Sequence, residues 1–315
     1  MKKVLKIALA LVCVLFAGCL AAGYYMCSYA LLPEEHGNDF EATRDFLDNN
    51  FPGLTAWYDS LHSCGVMKDT VIIGERGYRL HAVYASVDNP QGCAVVVHGY
   101  TNNHMSWMNL ARMYRDSLHF NVIVPDLHYH GLSEGRAIQM GWFDRLDVRR
   151  FAELAHGMWN DPFLIVHGVS MGGATTMMLS GDDLPDYYRA FIDDCGYSSV
   201  WEQFAYNMRQ TFGLPPFPVL HSASLVCKIR YGWSFRQASS LKQLARCTRP
   251  ILFIHGGADT FVPTEQVYGN YEAASAAPFK ELWIAPESTH AMSYRDHTDE
   301  YVARVRAFIL KVKEL

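Results

Sequence analysis

The sequence lacks a C-x-x-C pair, a G-x-G-x-x-G loop after a strand and a Walker lysine. Each absence removes a class. Without C-x-x-C spacing a zinc ribbon is excluded. Without the glycine-rich phosphate loops, dinucleotide and P-loop nucleotide chemistry have no cradle. Excess positive charge is also missing: 27 Lys and Arg face 32 Asp and Glu, for a net charge of −5. Nucleic acid is therefore not an expected partner. There are no internal repeats and no low-complexity tract.

Charge is missing most conspicuously near the start, where none falls between Lys6 and Glu34. Lys2, Lys3 and Lys6 precede a stretch, "IALALVCVLFAGCLAAGYYMCSYALL", that is apolar or small nearly throughout. A basic segment before an apolar one is an export signal, and this one is long enough to cross a hydrocarbon core of ~30 Å. Three readings of residues 1–33 stand open: an uncleaved signal anchor with its lysines inside, a lipoprotein signal with Cys19 after "FAG", and cleavage near Ala21–Gly23. All three place the rest of the chain outside the cytoplasm, in the cell envelope. The first makes it membrane-anchored through the N-terminal segment, and the localisation expected is a membrane-anchored protein with an extracytoplasmic domain. Cys13, Cys19 and Cys27 lie in this leader. The remaining five, Cys64, Cys93, Cys195, Cys227 and Cys247, are an odd set that argues against a disulfide framework. A single bridge within the 195–247 region stays open.

What is present is a rhythm. Two strands are expected at Thr70–Ile73 and Tyr78–Ser86 around the turn "GERG". Short apolar runs then recur: "CAVVVHG", "NVIVPD", "FLIVHG", "AFIDD", "PILFIHG" and "ELWIAP". Runs of this length suit strands buried on both faces, and helical patterns between them imply a parallel sheet. Helices are expected near "FEATRDFLDNNF" and over 104–117, 139–158, 172–181, 264–275 and 296–314. The fold class is α/β: a mostly parallel central sheet with helices on both faces. Residues 34–315 form one domain in this reading.

Residues 201–249 break the rhythm. They hold seven Lys and Arg against the single Glu202, and eight aromatic residues, with no clear strand. This segment is expected to be a helical cap inserted over the sheet's edge, since loops at strand ends carry function.

In "FLIVHGVSMGGATTMML" a strand runs into Gly168-Val169-Ser170-Met171-Gly172. Glycines permit a sharp strand-to-helix turn, which pushes the Ser170 hydroxyl out of the sheet toward the amides of the next helix. A serine hydroxyl is a poor nucleophile without a base, and the base needs an orienting acid. Asp259, released by the Gly-Gly loop of "PILFIHGGADTFVP", and His290, within "ELWIAPESTHAMSY", stand after the last two strands. Both belong at the carboxyl edge of the sheet, where open α/β folds keep their chemistry. Asp193 and Asp194, at the end of "AFIDD", are rivals for the acid. An oxyanion formed at this serine needs backbone donors, and the N–H groups of Met171 and Tyr100 are the candidates. Asp126, His128 and His130 in "PDLHYHGLSEG" imitate a His-x-His metal site, but no further ligand cluster completes it. No metal and no cofactor are expected.

Five stretches together, "VVHGYTNN", "PDLHYHGLSEG", "HGVSMGGATTM", "FIHGGADTFVP" and "ESTHAMSY", resemble the successive motifs of the α/β-hydrolase superfamily over roughly residues 65–312. The resemblance is to a bacterial branch of serine aminopeptidase-like and esterase-like hydrolases, often membrane-anchored. It implies an α/β-hydrolase fold and cofactor-free hydrolysis of esters, thioesters or amides, with Ser170, Asp259 and His290 as a catalytic triad. His128 stands where relatives carry arginine in Asp-x-Arg-Gly-His-Gly, so no role of that arginine carries over. The expected activity is a serine hydrolase of carboxylic esters, EC 3.1.1 ahead of 3.4, acting on a small-molecule ester. A peptidase or amidase on the same residues and a non-catalytic binding protein of the same fold are the alternatives. The residues set no oligomeric state.

Overall fold

The computed structural model describes residues 2–160 and 163–315. Met1, the first residue of the expected leader, lies outside them. Each short apolar run is a strand, and each strand shows why. In β3 (Cys93–Val97), Val95 and Val97 enter one hydrophobic cluster while Ala94 and Val96 enter another. The same alternation holds in β5 (Leu164–Val169), with Leu164 and Val166 on one side and Ile165 and Val169 on the other. A strand sandwiched between two cores is apolar at most positions, hence the near-continuous runs.

Among the described residues the sheet has eight strands in the order β1-β2-β4-β3-β5-β6-β7-β8. β1 (Met67–Ile73) and β2 (Arg79–Ala85) form a hairpin, and β2 pairs antiparallel with β4 (Asn121–Pro125). From β4 onward, β3, β5, β6 (Tyr188–Asp194), β7 (Ile251–Gly256) and β8 (Lys280–Ala285) are parallel. This is the α/β-hydrolase fold.

Helices cover both faces. The first is α1 (Lys2–Leu31), followed by α2 (Phe40–Asn50) and α3 (Leu54–Ser63). The expected helix over 104–117 is a composite: a 3-10 turn, then α4 (Met108–Arg112), then a π turn over Met113–Ser117. α5 (Asp144–Trp159) and α6 (Met171–Ser180) pack on the face that holds Val95 and Val166. α7 (Val200–Phe212), α8 (Val219–Tyr231) and α9 (Ser240–Leu244) fill the 201–249 segment without a strand. α10 (Glu265–Ala273), α11 (Ser293–Asp296) and α12 (Thr298–Lys313) close the chain. Tyr301, Val305, Phe308 and Ile309 of α12 form the apolar stripe that docks on the second face.

α1 is long and apolar enough to cross a membrane, a property that a membrane anchor and a signal sequence share. Its residues from Lys2 to Gly18 are exposed, whereas Gly23, Cys27 and Leu31 are buried against the domain. The Leu31 carbonyl accepts from the Ile138 N–H at 3.0 Å. All eight cysteines are free thiols, and Cys27 of α1 faces Cys227 of α8.

Candidate active site

Ser170 sits between β5 and α6 with φ 58° and ψ −118°, a backbone conformation that L-residues rarely adopt. Two close approaches hold it there. A Cβ on Gly168 would lie 2.0 Å from the Gly172 carbonyl oxygen, and one on Gly172 would lie 2.1 Å from that of Val97. Only hydrogen fits at either position. The Ser170 N–H donates to the Asp194 carbonyl at 2.7 Å, which ties the turn to the end of β6.

The turn delivers the hydroxyl to His290. Ser170 Oγ lies 2.8 Å from His290 Nε2, and His290 Nδ1 lies 2.7 Å from Asp259 Oδ2. The Asp259 side chain is fully buried, and burial by itself would raise its pKa. Hydrogen bonds from His255 and His290 outweigh that and hold the carboxyl down to about 2. An ionised Asp259 only accepts, so the imidazole proton belongs on Nδ1 and Nε2 accepts from the serine hydroxyl. The other carboxylate oxygen takes the N–H groups of Phe261 and Val262 at 2.9 and 3.0 Å.

The structure thus brings the three sequence candidates into one hydrogen-bonded row. The rival acids are engaged elsewhere. Asp194 accepts from the Tyr301 hydroxyl at 2.8 Å, and Asp193 from the Gly196 N–H at 3.0 Å. Met171 and Tyr100 line the same cavity as Ser170. Gly99 sits so close that a Cβ on it would meet the Ser170 Cβ at 3.3 Å.

His255 escapes notice in the sequence. It is buried, its Nε2 lies 2.9 Å from the Val262 carbonyl and 3.3 Å from Asp259 Oδ2, and its pKa is raised in spite of burial by the Asp259 carboxylate. Asp259 is therefore gripped by two histidines. The signal was there in "HGGAD", whose spacing of four folds back on a tight loop.

Asp126, His128 and His130 do not converge as a metal set. Asp126 instead joins His81 and His104, at 2.8 and 3.0 Å. Its carboxylate also accepts the backbone N–H groups of His104 and Leu132. Burial would raise its pKa, but His104 and His81 hold it well below the carboxylate range. These bonds occupy the lone pairs a metal would need, so the cluster reads as a clasp on the β4 loop. A second grouping, Cys195 with Asp259 and His290, has its acid and base engaged in the row above, and burial keeps the Cys195 thiol protonated.

Two cavities meet at Ser170. One, of about 730 Å³, is lined by Met26, Tyr29, Phe204, Met208, Phe235 and others. The other, of about 590 Å³, is bounded by Phe46, Phe51, Trp107 and His290. The larger has α1 as one wall, a wall no motif announces.

The sequence model of the Alpha/beta hydrolase family matches residues 94–304. The chain is 29% identical over 255 residues to Uncharacterized protein YqkD of Bacillus subtilis (strain 168), covering 80% of this chain and 83% of the relative. Among solved structures it resembles an esterase of Pyrococcus furiosus, with a TM-score of 0.65 and 20% identity over 80% of this chain and 95% of that one. It also resembles a puromycin-hydrolyzing peptidase of Mycobacterium tuberculosis, at 0.59 and 20%, covering 78% and 39% of the two chains. A membrane phospholipase A aligns over 100% of both chains, with a TM-score of 0.59 and 14% identity. The likenesses to solved structures speak to fold, while the family model spans most of the domain: the chain belongs to the alpha/beta hydrolase family.

Proposed function

We propose that the protein is a serine hydrolase that cleaves carboxylic esters through an acyl-enzyme, with Ser170 as nucleophile, His290 as general base and acid, and Asp259 as its orienting carboxylate. The observation that carries this is the unbroken row of hydrogen bonds, 2.8 Å from Ser170 to His290 and 2.7 Å from His290 to Asp259. Ser170 attacks the ester carbonyl while His290 Nε2 takes its proton. Asp259 stabilises the imidazolium that results. The N–H groups of Met171 and Tyr100 receive the oxyanion, a contribution of about 3 kcal/mol per donor in related chemistry. His290 returns the proton to the leaving alcohol, and water then releases the acid by the same route. The cap over residues 201–249 and the last turns of α1 wall the cavity that takes the acyl part. The leader, residues 1–33, anchors residues 34–315 on the outer side of the membrane.

Apolar walls favour an ester with an apolar acyl group. A second reading has its own support. Glu34 lines the larger cavity, and Glu35 and Asp39 the smaller, an acidic rim that suits a peptide amino group. Solved relatives include both an esterase and a peptidase, so the fold leaves the choice to the site. A panel of p-nitrophenyl esters against aminoacyl nitroanilides decides. The proposal expects turnover of the esters, its loss in Ser170→Ala, and little action on the anilides. The reverse preference establishes the peptidase.

A further inference from the structure

α8 runs beside the end of α1 in the same direction. Gly23 abuts Ser222 and Ala223, so closely that a Cβ on it would lie 2.5 Å from the Ser222 Cβ. Cys27 meets Cys227, and Ser28 accepts from Arg230 at 3.0 Å. The loop from 213 to 218 precedes α8 and so projects toward the exposed part of α1. It carries Leu214 and Phe217, 44% and 71% exposed. Tyr24, Tyr25 and Tyr29 of α1 are also exposed, and Arg230 stacks 4.7 Å over Tyr24.

Helix geometry sets the level of these groups. From Lys6 to Tyr25 a helix rises ~28 Å at 1.5 Å per residue, close to the ~30 Å hydrocarbon core. Lysines end the span on one side and tyrosines on the other, the arrangement of interfacial anchors. The tip of the cap then meets the outer acyl–headgroup boundary. Met26, Tyr29 and Ala30, which wall the 730 Å³ cavity, follow within two turns. The mouth of the cavity therefore opens at headgroup height.

We propose that the substrate is a membrane lipid ester whose acyl chain passes from the bilayer, between α1 and the cap helices, into this cavity. The inference rests on the membrane-anchored serine esterase reading. The occupant is fixed by continuity: the apolar span and the cavity wall share α1, and the exposed cap tip leads into α8, which packs against that helix. The acyl chain fills the larger cavity, and the alcohol part, bearing the headgroup, occupies the smaller one beyond Ser170. Ser170 Oγ bonds to the acyl carbon, the acyl–oxygen bond to the lipid alcohol breaks, and His290 protonates that alcohol. Water then adds to the acyl carbon and frees a fatty acid, so one lipid ester and one water yield one fatty acid and one alcohol. Arg230, beside Tyr24, stands where anionic headgroups lie.

The test uses the full chain reconstituted in phosphatidylethanolamine–phosphatidylglycerol vesicles. Fatty acid release from the vesicles is compared with hydrolysis of soluble p-nitrophenyl butyrate by the same sample. The inference expects wild type to act on both. The variant Leu214→Glu with Phe217→Glu loses the vesicle rate by about tenfold or more and keeps the butyrate rate within about twofold. Met26→Trp, which fills the α1 wall, moves the acyl optimum to shorter chains. Butyrate turnover without any fatty acid release from vesicles overturns the lipid inference and leaves the esterase reading intact. Equal losses on both substrates in the cap-tip variant, with normal fluorophosphonate labelling, overturn it too. No turnover of either substrate and no fluorophosphonate label overturn the esterase reading, and this inference with it.

Discussion

The Tyr100 hydroxyl donates to the Ala30 carbonyl at 3.0 Å, joining the loop after β3 to the last turn of α1. The same residue carries a backbone N–H that the proposed mechanism uses. Tyr100→Phe keeps that N–H and deletes only the tie. The expected loss is about 1 kcal/mol of stability, seen as a fall in Tm of a few degrees. Turnover of a short ester falls by less than about tenfold. A loss as complete as that of Ser170→Ala contradicts the assignment of Tyr100 as a backbone donor.

Gly172→Ala puts a methyl group 2.1 Å from the Val97 carbonyl oxygen. Either β3 or the serine turn must move. The substitution is expected to cost about 2 kcal/mol or more in denaturant unfolding. It also cuts kcat by about 100-fold, since a misplacement near 1 Å has that effect. An alanine variant of wild-type rate shows that the turn is looser than these contacts require.

His255 and His290 share the Asp259 carboxylate, and two substitutions separate their parts. Asp259→Asn removes the acceptor that holds His290 in its tautomer, and kcat drops by about 10⁴. His255→Leu leaves His290 its partner and acts only through Asp259, as the loss of a positioning residue. A drop of about tenfold or less in kcat, with KM unchanged, is expected. The acid side supplies a second readout. Asp259 has a folded pKa near 2, below its unfolded value, so its stabilisation is present above the unfolded value and lost as pH falls toward 2. Removing His255 takes away one cause of that low pKa and moves the loss to higher pH. An unmoved acid limb argues that His255 does not grip the carboxylate.

Buried groups of both kinds titrate in opposite senses here. Burial lowers His98 and His128 to about 4, and raises Asp144 to about 7 and Asp193 to about 8. Neutral histidines gain stability as pH rises through this range and neutral aspartates lose it, so the two partly cancel. A difference between variants isolates one group. Asp193 has a folded pKa above its unfolded one, so its contribution is full at low pH and is lost as pH rises through about 8. Its second carboxylate oxygen has no hydrogen-bond partner. Asp193→Asn is expected to gain Tm over wild type progressively between pH 5 and pH 9, at about these bounds. A difference independent of pH shows Asp193 already ionised.

The strands were legible because a strand buried on both faces is mostly apolar, as Ala94 to Val97 illustrate. Ser170, Asp259 and His290 were legible because each follows such a run at a glycine or a loop. The π turn at Met113–Ser117 and α3 were not, since packing rather than period decides them. His255 was hidden for a different reason. It closes β7 among apolar neighbours, and only the fold-back of the Asp259 loop gives it a partner. The α1 wall was hidden most deeply. An apolar stretch reads the same whether its last turns meet lipid or a cavity, and the contact of Gly23 with Ser222 spans most of the chain.

Mass spectrometry of the fluorophosphonate adduct tests the central claim most directly. The account predicts one adduct on the peptide that carries Ser170, absent in Ser170→Ala and slowed by about 10³ or more in His290→Ala. A folded wild-type protein that takes no label, or takes it on another residue, contradicts the account.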